Sequence, residues 1–369
     1  MSLNLNRVSK RFAERPAVTG VDLAVARGEF VSIVGPSGCG KSTLLRLIAG
    51  LEQVDEGQID IAGQIVSAPG RHVAPETRSV GVVFQSYALW PHMTVRDNVG
   101  FPAEAGGSGR RDARAQADRH LATVGLSDYA DRRPADLSGG QRQRVALARC
   151  LAQGAQTILM DEPLANLDPH LRAAMEHELT DFQRRSGATM LYITHDQREA
   201  LAMSHRVAVM AEGRLLQCAS PEEIYARPAT VGVARFIGRG AVLPAQVRAG
   251  TAMIAGSPVA VAGTTGPDAM ILLRPENLAV GGDGTLSGTV QAAFYRGGSW
   301  EAEVQVAGLP EALQLTTRHT LRIGETVALT ITGGWAMASN APGDDARRQV
   351  PAQPVKQQHQ QASHGNGNR

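Results

Sequence analysis

Gly35-Pro36-Ser37-Gly38-Cys39-Gly40-Lys41-Ser42-Thr43 stands between two apolar runs, Glu29-Phe30-Val31-Ser32-Ile33-Val34 before it and Leu44-Leu45-Arg46-Leu47-Ile48-Ala49-Gly50 after it. The first run reads as a strand and the second as a helix. A glycine-rich turn between them that ends in Lys-Ser is the phosphate-binding loop pattern. Glycines let successive backbone N–H groups curl around a polyphosphate with no Cβ in the way. The helix start adds unpaired donors and roughly half a positive charge of dipole. Lys41 is placed to reach the β- and γ-phosphates and Ser42 to ligate Mg²⁺. Residues Gly35 to Thr43 are therefore candidate nucleotide-binding residues.

Working outward, Leu3–Val8 and Val21–Val25 alternate as strands, and Phe12 falls in the loop after the first. Gly57–Gly63 reads as a strand and turn. Three buried strands end in polar residues: Val80–Phe84 at Gln85, Thr157–Met160 at Asp161-Glu162, and Met190–Thr194 at His195. Strands alternating with helices imply a largely parallel sheet, whose ligands sit beyond the C-terminal strand ends. Gln85, Asp161, Glu162, His195 and the glycine loop all converge there. Adjacent carboxylates at a strand end can divide two jobs: Asp161 holds Mg²⁺ through its water shell, and Glu162 polarises the attacking water.

Between Tyr87 and about Gly154 the pattern is helical. Ala113, Ala117, Leu121 and Val124 mark one face, after a Gly106-Gly107-Ser108-Gly109 link. Another helix follows Leu137-Ser138-Gly139-Gly140-Gln141 and runs to about Ala152. Leu171, Met175, Leu179 and Phe182 stripe a long helix that Pro169 can start. After about Gly238 helical stripes give way to short strands separated by glycines and prolines, the pattern of a small barrel or sandwich. The end of the chain, rich in Gln, His, Gly and Pro, reads as disordered. The expected division is 1–237, with a helical subdomain at about 87–154, then 238–335, then a tail at 336–369.

With 369 residues, 43% hydrophobic and 20% charged, the chain has the composition of an ordinary globular protein with room for two or three domains. A net charge of +2 argues for neither nucleic acid nor an acidic membrane as a partner. No apolar run approaches the roughly 20 residues of a membrane span. The three cysteines, Cys39, Cys150 and Cys218, form neither a zinc pattern nor a disulfide framework and fit a reducing cytoplasm.

Ser138-Gly139-Gly140-Gln141 at a helix start is a second anion site in a chain that already has one, and makes sense if presented to another subunit's nucleotide. With this LSGGQ pentapeptide the chain resembles the ATP-binding cassette (ABC) family of transporter ATPases. The resemblance implies an α/β P-loop NTPase domain with a helical subdomain, followed by a small all-β OB-like domain. It implies ATP and Mg²⁺ as cofactors. Phe12 matches the position that stacks on adenine, where tyrosine is more usual. Gln85 matches the glutamine that contacts Mg²⁺ or water and senses the membrane subunit. Leu164-Ala165-Asn166-Leu167-Asp168 resembles the D-loop, with Asp168 helping to join two sites and Ala165 departing from the frequent serine. Thr194-His195-Asp196 resembles the switch segment, whose histidine touches the γ-phosphate.

The same resemblance implies a head-to-tail homodimer with ATP held between the glycine loop of one copy and Ser138–Gly140 of the other. Leu273-Arg274-Pro275-Glu276 and the stretch Ser86–Val95 are similar to importer ATPases. They imply separate integral-membrane permease subunits, an indirect periplasmic binding protein, and a peripheral place on the cytoplasmic face of the inner membrane. The runs Gln217–Pro228 and Phe236–Ala245 look most like ferric-iron importers, with polyamine, phosphonate, thiamine and sulfate importers as alternatives. A distant alternative is a non-transport ABC ATPase whose barrel binds nucleic acid. Few aromatics (Phe294, Tyr295, Trp300, Trp335) and no basic stripe speak against it.

Overall fold

The computed structural model describes residues 1–165, 167–281, 284 and 286–339. Phe30–Val34 is buried along its whole length because it lies inside a six-stranded sheet. The sheet order is Arg214–Ala219, Arg206–Ala211, Phe30–Val34, Thr189–Ile193, Thr157–Asp161, Val80–Val83. All neighbours are parallel except the first pair, a hairpin. Parallel strands covered on both faces read as unbroken apolar runs, which is how four of these six appear in the sequence.

The two faces carry different cores. Ile33, Leu159, Leu191 and Ile193 pack with Leu44, Leu47 and Ile48 of the helix Lys41–Ala49 and with a five-stranded antiparallel sheet that includes Leu3–Phe12, Arg15–Val25 and Glu56–Ile61. Phe30, Ile158, Met160, Met190 and Tyr192 face the helices Gly139–Ala152 and Pro169–Ser186. The period-two side-chain alternation of each strand thus serves both layers. Helices Val95–Ala105 and Arg110–Thr123 complete the helical layer, with Ala113, Ala117 and Leu121 buried as their spacing predicts.

From Ala241 onward the chain forms a six-stranded and a five-stranded sheet sharing one core, in which Leu243, Ile271 and Leu273 meet Val290, Val304 and Leu329. Arg274 pins this β-rich part to the rest. It is 3% exposed, donates to the carbonyls of Tyr225 and Arg239, and lies over the Tyr225 ring.

Two expectations need correcting, and one strand was missed. Phe12 is not in a loop but ends the strand Leu3–Phe12, paired with Arg15, because the turn is only the two residues Ala13 and Glu14. Residues 336–338 are not a disordered tail; Trp335–Ala338 pairs with Gly266–Leu273 and buries Ala336 and Met337. Residues 340–369, the rest of that expected tail, and Asn166 lie outside the described residues. Arg206–Ala211 is a central strand beside the glycine loop, not foreseen in the sequence.

Candidate functional site

Each glycine of the loop answers a different local demand. A Cβ on Gly35 would lie 2.1 Å from the Met210 carbonyl oxygen, so the unforeseen strand Arg206–Ala211 fixes that position. Gly40 has φ +103 and faces the Ala17 carbonyl, where a Cβ would come within 2.2 Å. Gly38 has open space around it but φ +79, a left-handed backbone that L residues avoid. Pro36, Ser37 and Gly38 are exposed, while Cys39 is buried. Burial pushes the Cys39 thiol up, with Lys41 opposing.

The Lys41 ammonium is folded back into the loop, donating to the carbonyls of Gly35 at 2.8 Å and Pro36 at 3.1 Å. The helix behind it begins at Lys41, so Ser42 and Thr43 lie in its first turn. Ser42 Oγ donates to Asp161 Oδ1 at 3.2 Å, across 119 residues of sequence. Burial, reinforced by the neighbouring Glu162, pushes the Asp161 carboxyl up despite Ser42 and Lys41. A hydroxyl and a carboxylate side by side next to a lysine form the hard-oxygen donor set that suits Mg²⁺.

Glu162 follows with φ +47, a left-handed conformation in a residue other than glycine. Such backbone costs about 1–3 kcal/mol and persists where its surroundings over-determine it. Here the Glu162 N–H donates to the Ile193 carbonyl at 2.9 Å. The side chain then meets its partner from the next strand: His195 Nδ1 and Glu162 Oε2 are 3.1 Å apart. Carboxylate and imidazole are thus held together beyond the C-terminal ends of two adjacent strands, the second of which pairs with the glycine loop's own strand.

The remaining candidate residues lie on other elements. Phe12 is 46% exposed, with the Lys10 ammonium 5.5 Å from its ring centre. Gln85 is exposed in the turn after Val80–Val83. Asp168 caps the helix Pro169–Ser186, its Oδ1 accepting from the N–H groups of His170 and Leu171. The helix of the LSGGQ segment begins at Gly139, earlier than its sequence suggests, so Gly139, Gly140 and Gln141 form its first turn. Ser138 caps it reciprocally: its Oγ accepts from Gln141 N–H, and its own N–H donates to Gln141 Oε1. Ser138 is exposed, and among the described residues no hydrogen bond joins Ser138–Gln141 to the glycine loop.

Comparison with known proteins gives the family. The ABC transporter family model matches residues 18–165, and the TOBE domain model matches residues 271–338. The spermidine/putrescine import ATP-binding protein PotA of Chromobacterium violaceum is 46% identical over 305 residues, covering 80% of this chain and 83% of that one. This chain is an ABC transporter ATPase. The sn-glycerol-3-phosphate import ATP-binding protein UgpC of Cereibacter sphaeroides is 43% identical over 282 residues, covering 76% of this chain and 80% of the other. Among solved structures, the ATP-binding cassette MJ0796, a dimer in a post-hydrolysis state with ADP and Pi, is 31% identical with TM-score 0.50, covering 59% of this chain and 98% of that one. The ABC ATPase hydrolyses ATP and uses Mg²⁺. Its C-terminal β-rich part carries the TOBE domain. These relatives give ferric iron no support.

The site rests on side chains that sequence reading passes over. Arg78, 2% exposed, donates to the carbonyls of Leu47, Ile48, Val66 and Val73, closing the C-terminal end of the glycine-loop helix; burial lowers its pKa to about 10. Arg149, from the LSGGQ helix, donates to the carbonyls of Tyr87 and Ala88, which have φ of +61 and +46. No local signal in the sequence marks either arginine, because their acceptors are backbone groups of distant segments.

Proposed function

We propose that this ABC ATPase powers polyamine import through separate membrane permease subunits, two copies of the chain pairing head to tail around two ATP molecules. The observation that carries the pairing is the division of the site. The loop, Ser42–Asp161 and Glu162–His195 gather at one sheet edge, while the capped Ser138–Gln141 start, exposed at Ser138, makes no hydrogen bond to them among the described residues. A two-fold dimer lets each copy's helix start face the other's nucleotide, and the structural neighbour described as dimeric supports this reading.

Phe12 stacks on adenine in this account, and the loop from Gly35 to Thr43 wraps the phosphates. Lys41 leaves its two carbonyls to pair with the β- and γ-phosphates. Ser42, Asp161 and Gln85 would hold Mg²⁺, which when bound neutralises charge between the phosphates. Glu162 takes a proton from the attacking water, and His195 fixes the carboxylate and meets the γ-phosphate. Ser138, Gly139, Gly140 and Gln141 close the site from the second copy, with Asp168 beside the join. Groups supplied in trans to phosphoryl transfer are worth roughly 10³–10⁵ in rate.

Among the described residues no helix is long and apolar enough to cross a membrane. A membrane path built by other subunits fits that, with this chain bound peripherally at the cytoplasmic face and a periplasmic binding protein delivering cargo. The polyamine assignment rests on relatives named for spermidine/putrescine import at 46% and 42% identity. Glycerol phosphate is the second reading, supported by the relatives named for its import.

Two measurements test this. Glu162→Gln should accumulate as an ATP-bound dimer by light scattering; a variant that stays single with saturating ATP removes the pairing. Cells lacking this subunit should lose uptake of labelled spermidine. Loss confined to labelled glycerol phosphate would replace the first cargo with the second.

A further inference from the structure

Behind the strand ends lies a buried charged cluster that none of the roles above uses. Glu199, on the helix Gln197–Met203, is 3% exposed. Its Oε2 accepts from the hydroxyls of Tyr192 and Thr194, both at 2.7 Å. Its Oε1 lies 3.6 Å from Arg172 Nε. Arg172 rises from the first turn of Pro169–Ser186, and its two terminal nitrogens reach Asp196 Oδ2 at 3.4 Å and the Leu167 carbonyl at 3.2 Å. The Thr194 hydroxyl also accepts from the Asp196 N–H at 3.0 Å. Both residues flanking His195 are thus connected, through one guanidinium, to the residue before Asp168.

The cluster is not fully closed. Arg172 Nε is buried without a hydrogen-bond partner, although it faces a buried carboxylate. A shift of about half an ångström would make it a charge-assisted bond. The guanidinium thus serves three acceptors at once, the Glu199 carboxylate, the Asp196 carboxylate and the Leu167 carbonyl.

We propose that Arg172 is a positioning residue for ATP turnover: with Glu199 it ties the Leu167–Asp168 segment to both neighbours of His195, so that contact with a second copy sets the imidazole in place. This rests on the two-copy reading above. Arg172→Lys keeps the charge and the stem but cannot span three acceptors with a planar fork. In that variant kcat should fall about 10- to 100-fold, the scale of a misplaced catalytic group. ATP affinity, measured by titration with a fluorescent analogue, should stay within about twofold, the signature of a loss confined to the transition state. Adding Glu199→Gln should cost little more, because the two residues act as a unit.

A purely structural role would lower the melting temperature and leave the kcat of the folded fraction unchanged. That result, or fully additive losses in the double variant, overturns the proposal. Glu162→Gln separates the levels. If it pairs with ATP while folded Arg172→Lys turns over normally, this inference alone falls. If it never pairs, the two-copy reading falls and this one with it.

Discussion

The two candidate anion-binding elements of this chain are built in opposite ways. The glycine loop is self-satisfied: Lys41 donates to its own loop, Ser42 to Asp161, and Gly35 and Gly40 touch carbonyls of Met210 and Ala17. The Ser138–Gln141 start is complete only as a helix cap, with its serine exposed. One element is locked into the sheet edge and needs only its nucleotide. The other sits on a helical layer whose charged surface contacts are side chain to side chain, such as Arg96 with Asp118 and Arg114 with Asp97. On the two-copy reading proposed above, the contrast assigns the loop to the fold and the helix start to the assembly.

The largest effect expected breaks or keeps that division directly. Lys41→Ala should lower ATP turnover by about 10³-fold or more, since it removes a charge aimed at the transferring phosphoryl group. Ser138→Arg, at an exposed position, should do the same by blocking the face shown to the second copy. Mixed in equal amounts, the two dead variants should recover up to about one quarter of wild-type turnover, because half the dimers then hold one intact site. A site contained in one chain predicts no recovery in a phosphate-release assay.

Next in size is the support under the loop. Arg78→Ala should destabilise the protein by about 2–4 kcal/mol in urea titrations, because the carbonyls of Leu47, Ile48, Val66 and Val73 each lose a donor, although Leu47 and Val66 keep a backbone one. If instead the loss is under about 1 kcal/mol, the loop half is no more rigidly built than the helical half. The equivalent change at exposed Ser138, Ser138→Ala, should cost only the cap, about 1 kcal/mol.

How legible all this was follows the same line. The loop, the LSGGQ segment and the polar residues at strand ends could be read because each is a short pattern whose chemistry is local. Glu162 and His195 could be named, but their 3.1 Å contact depends on adjacent parallel strands in register, Asp161 opposite Ile193. Arg78, Arg149, Arg172 and Arg274 could not be named, since each reads in sequence as a surface charge and is buried, or for Arg172 half-buried, only by carbonyls or carboxylates brought from elsewhere. Arg206–Ala211 escaped because Arg206 and the short apolar run after it give little period to read. The strand Trp335–Ala338 was misjudged because the polar stretch after it dominated the composition there.

The smallest expected effect probes the helical layer itself. Asp97 sits in the first turn of Val95–Ala105, and its Oδ1 accepts from Arg114 at 3.0 Å. Burial pushes its carboxyl up, but the Thr94 hydroxyl and the Arg114 guanidinium outweigh that and hold it below the usual value of 3.8. A carboxylate with a depressed folded pKa stabilises fully above its unfolded value and loses that contribution as pH falls through the folded one. Asp97→Asn should therefore cost about 0.5–1 kcal/mol at pH 7, the scale of a partly exposed ion pair near a helix N-terminus. The gap between variant and wild type should close below pH 3.8 in thermal melts, while ATP turnover per folded molecule stays the same. If turnover instead falls with the pair, the platform under Ser138 is held by its surface charges, and the helical half is tuned for the partner down to its outermost contacts.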